Sequence, residues 1–216
     1  MSLQKFGGVA ALSEAIIYVS AFVFFGAIWD FPSDAGTIQK FAFLADNQTL
    51  LSIVNLGIYV IFGILLAVLV LALHQRLKGD ALAITQLASV FGIVWVGLII
   101  GSGMIANIGL AAVIELSVKD PDQAMTLWLA INAVVEGLGG GNEVVGGLWV
   151  LLLSIAALKS KVFPKTLNYL GLFIGCAGLF TIYPADILTE IFGLGQILWF
   201  TWLGIILLVT SPNKGA

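Results

Sequence analysis

Few side chains in this sequence could do chemistry, and most of them are carboxylates and amides. Asn132, Glu136 and Glu143 fall at i, i+4 and i+11, with Gly147 at i+15 and Asn142 beside them. That spacing sets them near one face of a helix. Oxygen ligands of this kind suit hard cations, an organic cation, or a proton shared between two carboxylates. Glu14 is a separate candidate, eight residues into an apolar run that opens at Phe6 and about 12 Å deep at 1.5 Å per residue. An ionisable group at that depth is expensive. Two readings of Glu14 stand: a neutral carboxyl hydrogen-bonded to a neighbouring helix, or a proton relay or ligand.

Other chemistries are excluded or demoted by what is missing. The one histidine, His74, belongs to the turn His74-Gln75-Arg76-Leu77-Lys78 and is expected at the headgroups. It cannot supply bis-histidine haem ligation or a zinc cluster, so no metal and no cofactor is expected. Cys176 is the one cysteine, which rules out an internal disulfide. No phosphate-binding glycine loop, no Ser/His/Asp set and no lysine within an apolar run is present. No basic run exists for nucleic acid.

The elements that must carry these residues are membrane helices. Of 216 residues, 60% are hydrophobic and 10% charged, with a mean hydropathy of +1.10; a soluble domain carries about 25% charged residues. Charge-free runs of 29, 34, 20 and 23 residues lie between Asp46 and Arg76, Asp80 and Glu115, Lys165 and Asp186, and Glu190 and Lys214. A helix crossing the hydrocarbon needs about 20 apolar residues. The runs show no period-2 alternation, so helices are favoured over a transmembrane barrel.

The fold class is therefore all-α, a polytopic transmembrane bundle forming a single domain over 1–216. Six spans are predicted, at about 6–29, 50–73, 81–104, 141–158, 166–184 and 187–210. The first is read as a retained helix, being too long for a secretory leader. Seven of the nine basic residues (Lys5, Arg76, Lys78, Lys159, Lys161, Lys165 and Lys214) fall on one side, against Lys40 and Lys119 on the other. Both termini are thus predicted to be cytoplasmic. Trp29, Phe31, Trp128 and Tyr183 would form an outer aromatic belt.

Two outer features are expected beyond the spans. Residues 105–138 would form a helical hairpin around Lys119-Asp120-Pro121-Asp122, either projecting or re-entrant. Its legs would bend at Gly101 and Gly103 on one side and at Gly137, Gly139, Gly140 and Gly141 on the other. Residues 34–46 would form a lid helix capped by Ser33 or Asp34, with Ile38, Phe41, Ala42 and Ala45 on one face. The Gly97/Gly101 and Gly171/Gly175 pairs are both GxxxG and read as helix packing. This topology brings Asn55, Asn107, Asp186, Glu190 and Gln196 to the level of the Asn132–Glu143 stripe. The result is an outward-facing acidic vestibule, unless most of these groups simply face headgroups and water.

Three stretches also resemble a known family. They are Ser33-Asp34-Ala35 through Leu51 with Val54-Asn55-Leu56-Gly57-Ile58, the segment leading to Gly147-Leu148-Trp149, and Lys159-Ser160-Lys161-Val162-Phe163-Pro164-Lys165 with Gly171 after it. The last is similar to a basic K-S-x-x-F-P-[KR] turn between spans four and five. The chain resembles a bacterial six-helix integral membrane family of unknown function, domain of unknown function 4386. The resemblance implies fold, topology and a bacterial cytoplasmic (inner) membrane setting, and no activity. Relatives carry a histidine near the start of span four that this sequence lacks, so histidine-based chemistry does not carry over.

Three functions follow as expectations. The leading one is binding of a small ligand or cation in the vestibule, with Glu14, Asn55, Asn132, Glu136, Asn142, Glu143, Asp186, Glu190 and Gln196 as candidate contacts. The second is an accessory or structural subunit of a membrane complex. The third is a membrane enzyme using paired carboxylates on a lipid-like substrate, though an enzyme would show a denser constellation. The partners are the lipid bilayer, and either other membrane subunits or a second copy of the chain.

Overall fold

The computed structural model describes residues 2–183 and 185–210. Lys214, counted above with the inner basic residues, and Pro184, at the end of the fifth span, lie outside the described residues. The chain is all-α. Helix α1 (Leu3–Val23) runs into a π-helical turn, π1 (Phe24–Ile28), and a short helix α2 (Thr37–Asp46) follows. Next come α3 (Gln48–Asn55), a second π turn π2 (Leu56–Ile61) and α4 (Phe62–Ser117) without interruption. The rest is α5 (Pro121–Val135), π3 (Glu136–Gly140), α6 (Val144–Ser160), α7 (Lys165–Phe180) and α8 (Asp186–Val209). Four helical stretches are long and apolar enough to cross a membrane: Leu3–Ile28, Gln48–Ser117, Pro121–Ser160 and Asp186–Val209. Helix α7, with 16 residues, is shorter.

Among the described residues, prolines stay out of the helix interiors. Pro121 opens α5 at its first turn and Pro164 stands just before α7, where a missing N–H costs nothing. The 70-residue stretch is turned back on itself at Ala81, whose φ of −138° and ψ of 41° break the helix. Two antiparallel arms result, residues 62–80 and 82–117. They are held by His74 Nδ1 and Ser89 Oγ at 2.9 Å and by Thr85 Oγ1 donating to the Leu77 carbonyl at 3.4 Å. His74 therefore staples a turn.

The rods close into a ring. Helix α1 packs on α8 and on the 62–80 arm, the 82–117 arm packs on α6, α6 on α7, and α7 on α8. Glycines set the close approaches. A Cβ at Gly147 would lie 2.8 Å from the Gly175 carbonyl oxygen and 2.8 Å from backbone atoms at Gly178 and Leu179. The Gly171/Gly175 pair thus works as a packing face. Gly97 and Gly101 do not, since nothing lies within 4 Å of a Cβ built at either. At the end of the bundle where α1 begins, Gln4 Nε2 donates to the carbonyls of Leu207 and Thr210 at 2.9 Å each, and Arg76 donates to Gln4 Oε1 at 3.3 Å. That ties α1, α4 and α8 together.

Mid-height in the ring is filled by rings from different rods. Tyr18 meets Phe62 at 5.5 Å, Phe62 meets Trp95 at 5.8 Å, Trp95 meets Trp149 at 5.7 Å, and Trp149 meets Trp199 at 5.7 Å. A second, smaller core joins α2, α3, the far end of α4 and α5, through Phe41, Leu44, Leu51, Leu110, Val113 and Ala124. The lid helix is present, but its inner face is Phe41 and Leu44. Ile38 is 73% exposed, and Ala42 and Ala45 are exposed too. The expected face misses because the larger side chains at i and i+3 fill the gap above Leu110 and Val113. Its cap differs as well: Gly36 precedes the first turn and donates its N–H to Gln39 Oε1 at 3.0 Å.

The hairpin legs are antiparallel, with Gly109 against Ile131. Asp120 caps α5 by accepting from the Gln123 N–H at 3.0 Å, and the 82–117 arm carries no interior break at Gly101 or Gly103. The bend on the other leg is present, and it forms the site.

Candidate functional site

Three π-helical turns converge on one chamber. A π turn inserts a residue into the helical ladder and rotates everything beyond it, and such turns recur at functional sites. Phe25 and Gly26 of π1, Ile58 and Tyr59 of π2, and Glu136, Gly139 and Gly140 of π3 all line a central chamber of about 560 Å³. The remaining wall comes from Tyr18 and Phe22 of α1, Phe62 and Ile99 of α4, Glu143, and Thr189 and Phe192 of α8.

The two carboxylates reach this chamber through a break in the helix. Gly139 has φ +151°, a conformation that strains any residue with a Cβ. Residues 141–143 leave the helix altogether before α6 begins. The exposed backbone of this break is caught by two threonines: Thr181 Oγ1 accepts from the Glu143 N–H at 2.7 Å, and Thr189 donates to the Gly141 carbonyl at 3.1 Å. Asn142 turns to its own backbone, its Oδ1 accepting from the Val144 N–H at 3.2 Å. Gly140 and Gly141 leave room for the Glu136 carboxyl. A Cβ at Gly140 would sit 3.3 Å from both Glu136 Oε1 and the Tyr59 hydroxyl, so these two groups flank the same spot.

Glu143 is 7% exposed and its Oε2 has no hydrogen-bond partner. The Trp95 side chain stands beside its carboxyl, and Glu136 is within electrostatic reach. An unmatched carboxyl oxygen at an apolar wall is costly to bury. A cation in the chamber would supply the missing charge. Tyr18, Phe22, Phe25, Tyr59, Phe62 and Phe192 line the same chamber, and aromatic rings attract organic cations at their faces. A hard divalent ion wants six or more oxygens. Among the described residues no three His, Cys, Asp or Glu side chains converge on one point.

A smaller second chamber of about 270 Å³ adjoins the first and shares Phe25, Tyr59 and Glu136 with it. It lies under the lid helix and hairpin, with Trp29, Phe31 and Trp128 in its wall beside Asn55 and Asn132. Asn55 donates to Asn107 Oδ1 at 3.0 Å, and Asn107 donates to the Ser52 carbonyl at 3.2 Å, which fixes both amides.

The candidate residues are thus distributed. Glu136 and Glu143 share the central chamber; Asn55, Asn132 and Glu136 share the second one. Asp186 and Glu190 are exposed, with Asp186 near enough to Glu136 to act on its charge. Asn142 is a backbone cap. Gln196 is fully buried with neither amide atom bonded, and lines neither chamber. Glu14 is also fully buried and unbonded, below the chamber. Tyr18 lies within electrostatic reach of both Glu14 and Glu143. Tyr18, Tyr59 and Thr189 are polar members of the site that sequence reasoning missed. The available signal was faint: two tyrosines and a threonine at unrelated positions in apolar runs.

No family model, no curated protein and no solved structure matches this chain.

Proposed function

We propose that this protein crosses the membrane six times with both termini in the cytoplasm, and binds a small organic cation in the chamber beneath its outer lid. The observation that carries this reading is Glu143, a buried residue with one carboxyl oxygen unpartnered, which lines the same chamber as Glu136 and several aromatic side chains. The inner crowding of basic residues sets the orientation, and the chamber then faces outward. The bacterial inner-membrane setting rests on the family resemblance described above. The aromatic cluster from Tyr18 to Trp199 closes the bundle below the chamber, which favours a binding site open on one side over a continuous pore.

Thermal unfolding of the purified protein tests it. A ligand that binds only the folded state stabilises by about 2.7 kcal/mol at one hundred times its Kd. Quaternary and primary ammonium compounds are expected to raise the midpoint, and Glu143→Gln to remove most of that rise while leaving the unliganded midpoint close to that of the parent. Divalent cations are expected to have little effect. A rise that is the same in Glu143→Gln, or none with any ammonium compound, would sink the reading.

A further inference from the structure

A third cavity decides what kind of cation this is. It holds about 480 Å³ and lies between α1–π1 and α3–π2, with Ile17, Ala21, Phe24, Val54, Gly57 and Ile58 in its wall. Three of those residues, Ile17, Ala21 and Ile58, also line the central chamber. The two spaces are neighbours separated by small or apolar side chains. The lateral cavity offers no charged group, and it sits where the ring is loosest: α1 packs closely on α8 and on the long arms of α4, and only lightly on π2. Both glycines flanking this seam face open space. A Cβ built at Gly26, in the central chamber, or at Gly57, in the lateral one, meets nothing within 4 Å. A carboxyl-walled chamber lying against an apolar slot, with Ile17, Ala21 and Ile58 in the wall of both, matches a molecule with a charged head and an apolar chain.

We infer that the ligand is an amphipathic organic cation, its ammonium head between Glu136 and Glu143 and its alkyl chain in the slot between α1 and π2, reached from the bilayer. This rests on the cation reading above. The chain stays in an apolar medium throughout, so binding from lipid requires only that the head exchange headgroup contacts for the two carboxylates and the aromatic faces.

Two cysteine reporters separate head from chain. Cys176, the one native cysteine, is exposed and is replaced by serine. Gly26→Cys then reports on the central chamber and Gly57→Cys on the lateral slot, both without a clash. Alkylation by N-ethylmaleimide is followed in proteoliposomes with tetramethylammonium or dodecyltrimethylammonium, the latter below its micellar concentration. Tetramethylammonium is expected to slow labelling of Gly26→Cys alone. Dodecyltrimethylammonium should slow both, by about tenfold at ten times its Kd, and Glu143→Gln should abolish protection at both positions. Gly57→Leu, which fills the slot, should weaken protection of Gly26→Cys by the long-chain probe and leave that by tetramethylammonium unchanged. Protection of Gly26→Cys by both probes with none at Gly57→Cys overturns the lateral slot and leaves the cation reading standing. So does protection at Gly57→Cys that survives Glu143→Gln, because the chain would then be partitioning without its head. No protection at Gly26→Cys by either probe overturns the cation reading and this inference together.

Discussion

At the scale of single residues, Glu14 and Glu143 are both buried carboxyls with different prospects. Glu143 lines the central chamber, where its carboxyl lies beside a space a ligand can fill. Glu14 is enclosed by the bundle, with neither oxygen bonded. Removing a buried polar group that has no partner relieves a penalty of about 1–3 kcal/mol. Glu14→Met, similar in length and apolar, is therefore expected to raise the thermal midpoint of the unliganded protein, and to leave ammonium binding intact. A midpoint that falls would show that Glu14 has a stabilising partner. The Asn132–Glu143 spacing draws attention to a segment whose two glutamates line one chamber. They do so across a broken helix, not from one face of a continuous one. Tyr18 and Tyr59 carry no such spacing, since they join the site through helices far apart in the chain.

The elements show why glycine pattern alone is a poor guide to packing. GxxxG occurs three times, at Gly97/Gly101, Gly137/Gly141 and Gly171/Gly175, and only the Gly171/Gly175 copy lies against a neighbouring helix. The paired contact on α6 is Gly147, whose Cβ position collides with backbone, which cannot move aside as a side chain can. Gly147→Leu should cost about 3 kcal/mol or more by overpacking, while Gly97→Leu, facing open space inside a helix, should raise stability by under about 1 kcal/mol, by propensity alone. Chemical or thermal unfolding of the two variants side by side checks this; equal losses would mean the Gly97 face is packed too. The three π turns were not foreseen, because an inserted residue leaves no period to detect in runs that are apolar on every side. Gly139 was flagged as a weak point, and it is where the chain breaks.

For the whole molecule, the orientation that makes the chamber outward-facing can be read directly. In the Cys176→Ser background, Asp34→Cys and Lys119→Cys are expected to react with a membrane-impermeant maleimide added to intact cells. Lys78→Cys and Lys161→Cys are expected to react only after permeabilisation. The reverse pattern would turn the chamber toward the cytoplasm and overturn the proposed orientation. The amino-acid sequence by itself determined the all-α class, the membrane-length apolar stretches, the short helix at Thr37–Asp46 and the charge asymmetry. All of these follow from composition and local periodicity, which act within one helix at a time. The tertiary structure alone decided which carboxyls face a cavity, which glycines touch a neighbour, and that the two arms of α4 fold back at Ala81. It also decided that π1, π2 and π3 meet at one level to open a chamber with a slot beside it. Those are properties of register between helices. In runs that are apolar all round, no polar face marks which side turns inward, so register is set by the fit of glycines against large side chains across the bundle.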